Sequence, residues 1–167
     1  MFSLKLNVLN SFEAEMTASV IYDLFSQQVV FEKFKLSEDD LPRIKDWIIN
    51  SNIRNYYSAK QKAQLGFEEK IGNTWFFGMN RWLSGYLSDS VDDTKYLSSF
   101  GDIAGQEQLF TQFFNFLDQW YKAYEKCQLA QTPQAWFVII QNLCKNILYN
   151  DIKDDFETRI LSQLESK

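Results

Sequence analysis

The chain of 167 residues contains no histidine. That absence removes Ser-His-Asp and Cys-His nucleophile systems, histidine metal sites and a histidine general base together. Proline occurs twice and glycine six times, too little turn chemistry for a many-stranded sandwich or barrel, so long helices are expected instead. The two cysteines, Cys127 and Cys144, form no CxxC pair and have no third thiol beside them. They read as buried thiols in a reducing compartment rather than metal ligands. No run of about 18 apolar residues is present, so no membrane span is expected. The start, MFSLKLNVLNSF, lacks the basic stretch followed by an apolar core that marks a signal peptide. A soluble, intracellular protein is the expectation. Neither GxxxxGK[ST] nor GxGxxG occurs, which leaves no sequence basis for a nucleotide, and no cofactor is expected. Carboxylates cluster as Glu38-Asp39-Asp40, Asp92-Asp93 and Asp154-Asp155. Adjacent carboxylates in polar stretches at helix starts and turns are caps or solvated charge more often than an acid/base pair, so no catalytic residue is assigned.

What is present is apolar and aromatic: 46% of the residues are hydrophobic and 17% aromatic. That suffices for the core of one domain over residues 1–167. The period is helical throughout. Phe2, Leu6 and Leu9 share a face of a first short helix. Thr17 can cap a second, with Val20, Ile21, Leu24 and Phe25 inward. Val29, Val30, Phe31 and Phe34 suggest a third. Ser37-Glu38-Asp39-Asp40 supplies a cap and a negative first turn, so a regular helix is expected from Asp39 or Asp40, with Leu41, Ile44, Trp47 and Ile48 inward. Ser58 starts a short helix that ends near Leu65-Gly66. Residues 88–104 read as the longest loop and a possible hinge. Leu109, Phe113, Phe116, Leu117, Trp120, Tyr121 and Tyr124 mark a long helix. Thr132-Pro133 signals another start, with Trp136, Val138, Ile139, Ile140, Leu143, Ile147 and Leu148 buried. A last helix is expected over residues 152–164. The fold class is all-α, a single irregular helical domain of about seven to eight helices.

The stretch Asn73 to Leu87, NTWFFGMNRWLSGYL, poses the main question. Read as a helix capped by Asn73 or Thr74, it places Trp75, Met79, Trp82 and Tyr86 at i, i+4, i+7 and i+11, a stripe widened by Phe76 and Leu83. Gly78, Arg81 and Gly85 form a second stripe. Glycine within a helix costs about 1 kcal/mol against alanine, so two of them imply close approach of a neighbouring helix, with Arg81 partly buried and seeking a carboxylate or helix-end carbonyls. The aromatics can instead be base-stacking platforms with Arg81 on phosphate. Helical spacing favours core over stacking.

Charge is uneven. Between Arg43 and Arg81 stand seven basic residues, Arg43, Lys45, Arg54, Lys60, Lys62, Lys70 and Arg81, against Asp46, Glu68 and Glu69, on a chain of net charge −5. This segment is a candidate DNA or partner surface through Arg54, Lys60, Lys62 and Lys70. Solvated surface lysine is the plainer reading, because these residues span elements that need not meet.

The same residues carry a family resemblance. Asn73-Thr74-Trp75, Phe77-Gly78, Arg81, Leu83 and Gly85-Tyr86 resemble the "NTWRFGLxRLLLGY" signature of the gamma subunit of exodeoxyribonuclease V (RecC). Thr17-Ala18-Ser19-Val20 with Leu24 resembles its "TASEVLDLL" helix, and Phe34 to Leu41 its "RFGLSEDDL" segment. Ile44, Trp47, Ile48 and Ile53-Arg54 are similar to its "IxxWIxxxGIRW" segment, and Pro133 to Trp136 falls where the family places its own helix start. Two positions depart: Asn55 stands where the family has Trp, and Phe76 where it has Arg, which removes a positive charge from the helix.

The resemblance implies a piece of a longer subunit, the helical 2B-type region of a helicase-like half that has lost catalysis, with Met1 starting a segment of that longer chain. It implies a bacterial, cytoplasmic complex with the beta and alpha subunits of exodeoxyribonuclease V. That complex is an ATP-dependent helicase-nuclease acting on DNA in recombinational double-strand-break repair. Neither enzymatic activity of its own nor Chi-reading residues are carried onto this segment. The alternative is a scaffold that docks sister subunits without touching DNA. An independent helical enzyme has no residue set to support it.

Overall fold

The computed structural model describes residues 10–12, 16–68, 70, 72–87, 105–129 and 132–148. These residues form seven α-helices, two short non-α helical turns and no strand. The expected first helix, the 88–104 loop with its hinge and the last helix all fall outside the described residues. Helix α1 spans Ala18–Phe25, α2 Gln28–Lys33, α3 Leu41–Asn50, α4 Ala59–Gln64, α5 Trp75–Leu87, α6 Glu107–Cys127 and α7 Pro133–Leu143.

Local chemistry sets the ends of these helices. Ser37 and Asp40 form a reciprocal capping box around a 3-10 turn, Glu38–Asp40, with the Ser37 N–H donating to Asp40 Oδ2 at 2.8 Å. Helix α3 begins just beyond it at Leu41, rather than at the expected Asp39 or Asp40, so that Pro42 sits in the first turn where its missing N–H is harmless. The Ser58 hydroxyl accepts from Gln61 N–H at 3.2 Å, and Gly66 leaves α4 with φ +84°, a conformation glycine adopts without a Cβ penalty. Thr132 accepts from Ala135 N–H at 3.2 Å and Pro133 follows as the first helical residue. Thr17 occupies the N-cap position of α1, but its side chain makes no capping bond; Ala18 N–H donates instead to the Arg54 carbonyl at 2.7 Å.

Helix α6 is the spine. Leu109, Phe113, Phe116, Leu117, Trp120 and Tyr124 are all buried along one face, at the i, i+4, i+7, i+8, i+11, i+15 spacing of a single stripe. Phe25 of α1 meets Phe116 at 4.8 Å and Phe113 at 5.0 Å between ring centroids, and Phe34 meets Phe116 at 5.5 Å. Phe12 stands edge-on to Trp120 at 5.1 Å, while the Trp120 indole N–H donates to Ser11 Oγ at 2.8 Å. Truncating one such buried ring to alanine costs about 3–5 kcal/mol, so this cluster carries much of the stability. All four inward residues expected on α3, Leu41, Ile44, Trp47 and Ile48, are buried.

Helix α7 passes into a π-helical turn, Cys144–Leu148, which packs on α2 and α6. The wider turn shifts register by one residue and brings Cys144, Ile147 and Leu148 into the core. Here two expectations are corrected. Val138 is 51% exposed, because it lies a third of a turn off the face defined by Ile139, Leu143 and Ile147. Trp136 and Ile140 are only half-buried. Neither cysteine forms a disulfide: Cys144 is buried and Cys127 half-buried, with burial pushing the Cys127 thiol pKa up.

The loop between α3 and α4 is clasped to the start of α5. Asn52 and Asn73 both adopt left-handed backbone, φ 54° and 66°, a conformation asparagine tolerates. Asn52 Nδ2 donates to Asn73 Oδ1 at 2.9 Å, and the Arg54 and Asn55 N–H groups donate to the Asn73 carbonyl at 2.9 and 3.3 Å. Trp75 N–H reaches the Tyr56 carbonyl at 3.0 Å and Phe76 N–H the Tyr57 carbonyl at 2.8 Å.

Candidate nucleic-acid and partner surface

The aromatic stretch builds core, not a stacking platform. Thr74 caps α5 by accepting from Phe77 N–H at 3.3 Å. Trp75 and Trp82 are 0% exposed, which decides against either as a surface for bases. The Trp75 indole N–H donates to the Met16 carbonyl at 2.7 Å, and the Trp82 indole N–H donates to the Ser51 hydroxyl. Trp82 also lies 5.9 Å from Trp47 and edge-on to Phe110 at 6.0 Å. Met79 completes the buried stripe. Gly85 and Tyr86 lie within α5, but their side chains lie outside the described residues.

Two details of this helix differ from expectation. Phe76 and Leu83, expected to widen the buried stripe, are exposed; they lie on the solvent side of the Trp75–Met79–Trp82 line. The close approach at Gly78 comes from the Ser51–Ile53 turn after α3 rather than from a helix. A Cβ on Gly78 would collide with the Ile53 side chain and meet Ser51 Cβ at 3.4 Å. Arg81 is half-buried as expected, and Nη1 donates to the Ser51 carbonyl at 3.3 Å. Ser51 caps the C-terminus of α3, so the guanidinium sits at the negative end of a helix dipole.

The four basic residues assigned from sequence are placed unevenly. Arg54 and Lys60 are exposed. The Arg54 Nε donates to Asn52 Oδ1 at 3.3 Å, which ties it to the clasp. Lys62 is half-buried, with its ammonium 5.7 Å above the Tyr56 ring, a favourable cation–π arrangement. Lys70 is exposed and pairs with Glu68 at 2.7 Å; a pair this open to solvent is screened and adds little to stability. Thus Lys62 shares one small aromatic cluster with Tyr56, while Glu68 offsets part of the charge Lys70 brings.

The sequence did not single out Phe67 and the outward turn of Phe76. Phe67 is 50% exposed with its ring 5.6 Å from Tyr56. Phe76 is 51% exposed and its backbone is joined to Tyr57. Two solvent-facing rings are therefore joined to the Tyr56-Tyr57 link, which lies between Arg54 and Lys60 in the chain. The signal for Phe76 was its departure from an expected arginine, a position suited to solvent. Among the described residues no cluster of three or more metal-ligating side chains occurs, and no helix is long and apolar enough to cross a membrane.

Just before α4, Tyr57 stacks face to face on Tyr121 of α6, at 3.7 Å and 10°. Burial, then the nearby Asp118 and Glu125 carboxylates, raises the Tyr57 pKa. Burial and Glu125, which also hydrogen-bonds the Tyr121 side chain, raise that of Tyr121.

Residues 2–167 match the family model described as RecBCD enzyme subunit RecC fourth domain. Proteins named RecBCD enzyme subunit RecC are similar to this chain. That of Buchnera aphidicola subsp. Schizaphis graminum is 28% identical over 140 residues, 80% of this chain and 13% of that protein. That of Buchnera aphidicola subsp. Acyrthosiphon pisum is 28% identical over 164 residues, 93% of this chain and 15% of that protein. That of Mycobacterium tuberculosis is 33% identical over 99 residues, 59% of this chain and 9% of that protein. The chain therefore spans only 9–15% of the length of these relatives. With the family model covering all but its first residue, the chain belongs to the RecC family and corresponds to the fourth domain of that subunit.

Proposed function

We propose that this domain is a non-catalytic helical module of the gamma subunit of the exodeoxyribonuclease V helicase-nuclease. In that role it supports ATP-dependent unwinding and degradation of DNA during recombinational double-strand-break repair, alongside the beta and alpha subunits. The observation that carries the reading is the family match over residues 2–167, joined to an aromatic signature spent on packing. The segment from Arg54 to Phe76 is the surface we assign to the DNA strand path. Exposed Phe67 and Phe76 attach there to Tyr56 and Tyr57, which lie between Arg54 and Lys60 in the chain, and flat rings with cations are the combination that holds single strands. Phosphate contacts would come from the cations and stacking from the two rings.

The test is anisotropy of fluorescent single-stranded and forked DNA across a salt series, for the chain and for an Arg54→Glu, Lys60→Glu, Lys62→Glu variant. Salt-sensitive binding that the reversals abolish is expected. Absence of binding even at low salt removes the strand-path role.

A second reading has its own support. Ile49, Leu129 and Val138 are 62%, 64% and 51% exposed, apolar area of the kind that docks neighbouring subunits. In that reading the domain is a scaffold that never meets DNA.

A further inference from the structure

A cleft of about 510 Å³ opens between α4 and the C-terminal end of α6. Leu65 and Leu129 stand at its rim, 47% and 64% exposed, and Tyr121 and Tyr124 lie along its wall. Gln61 lines it from α4 while being only 4% exposed. The Gln61 Oε1 accepts from Tyr57 N–H, which fixes the amide. Its Nε2 is then a buried donor with no acceptor among the described residues. Buried polar groups of this kind are rare in native proteins and call for an explanation.

We propose that this cleft is a docking site for a polypeptide segment that presents an apolar side chain, a carbonyl acceptor and a neighbouring basic residue. Each element answers a feature of the cleft. The apolar side chain covers Leu65 and Leu129. The carbonyl supplies the acceptor that Gln61 Nε2 lacks. The basic residue meets Glu125, the one charged residue among those lining the cleft. Asp118, close enough to act on Tyr57, is paired with Lys122 at 2.7 Å, so Glu125 is the carboxylate such a basic residue meets. With Glu125 as the charged group of the lining, a phosphate backbone is the disfavoured occupant. The cleft shares α4 with the strand-path segment, but it is lined by Gln61, Gln64 and Leu65 rather than by Arg54, Lys60 or Lys62, so substitutions separate the two sites.

The experiment titrates the whole chain, with labelled leucine methyl groups, against capped octapeptides carrying one central Leu followed by Lys. A control panel has Glu in place of Lys, and a single-stranded oligonucleotide is a separate arm. The Leu-Lys peptides are expected to shift the Leu65 and Leu129 methyls saturably and to bind better than the Glu panel. Leu129→Glu, at an exposed position that leaves the fold intact, weakens binding by about tenfold or more, a change readily resolved in Kd. Gln61→Glu keeps the Tyr57 contact, removes the donor and also weakens it. Arg54→Glu leaves it unchanged, which separates this site from the strand path. The proposal is overturned if no peptide shifts these methyls up to about 1 mM, the weak end of useful association. It is equally overturned if the oligonucleotide shifts them instead, or if they shift with protein concentration alone, which assigns the cleft to a second copy.

Discussion

The Ile53 side chain fills the volume that a methyl group on Gly78 would need. Gly78 is the fourth residue of α5, where alanine would otherwise be favoured by up to about 1 kcal/mol. Ile53 is 5% exposed, so it cannot swing into solvent to make room, and overpacking costs about 1–3 kcal/mol. Gly78→Ala is therefore expected to lower stability by about 1 kcal/mol in urea unfolding. In an Ile53→Ala background the sign reverses, and alanine at position 78 stabilises. Additive effects of the two substitutions would show that the residues are not coupled.

Ser51 serves three partners from the end of α3. Its hydroxyl accepts from the Trp82 indole, its carbonyl accepts from Arg81, and its Cβ faces Gly78. Ser51→Ala keeps the last two and strands the buried indole donor, which costs about 1–3 kcal/mol. The urea midpoint should fall accordingly. Adding Trp82→Phe, which removes the orphaned donor, should make the serine substitution nearly silent.

The stacked pair Tyr57 and Tyr121 gives a pH dependence with a defined sign. Both phenols have pKa values raised above the ordinary 10.0 in the folded state. Folding thus favours the protonated phenols. Their contribution is fully present below about pH 10, the unfolded value, and is lost as pH rises through the raised folded values. Stability should decline in alkali, and an ultraviolet phenolate titration should show late-titrating tyrosines. Tyr121→Phe should remove one of these and leave the neutral-pH fold in place. A profile in which every phenol ionises near pH 10 would contradict the stacked, desolvated pair.

Much of this architecture was legible because it is periodic or punctuated. Leu41, Ile44, Trp47 and Ile48 announce a buried face by spacing alone, and Thr132-Pro133 announces a helix start by chemistry that acts within a few residues. The partner of Arg81 was legible in kind, since a half-buried guanidinium needs carbonyls or a carboxylate, but the choice of Ser51 was not. The Asn52–Asn73 clasp joins residues 21 apart in sequence through two left-handed asparagines, and no local pattern encodes such a pairing. The exposure of Val138 and Phe76 escaped for a related reason. An apolar residue near the edge of a stripe points inward or outward according to what packs beside it, and Val138 and Phe76 both stand at such an edge. The basic candidates illustrate the same limit. Net charge along the sequence placed Lys70 with Lys62, but only the fold sets Lys62 against Tyr56 and Lys70 against Glu68.

On the proposed strand-path surface, the exposed rings and the cations are expected to make separable contributions to DNA binding. Phe67 and Phe76 carry no charge, and base stacking on an exposed ring is worth about 1–3 kcal/mol per base. Phe67→Ala and Phe76→Ala are each expected to weaken single-stranded DNA binding by that amount at every salt concentration, leaving the slope of log affinity against log salt unchanged. Lys60→Glu acts through phosphate and should flatten that slope by roughly 0.7 for each phosphate no longer neutralised. Phe76→Arg, which introduces the arginine of the motif this stretch resembles, should steepen the slope while forfeiting the stacking. If both kinds of substitution altered the slope equally, the rings would not be stacking on bases. If neither altered binding, the strand would have to pass elsewhere, leaving subunit contact as the work of this face.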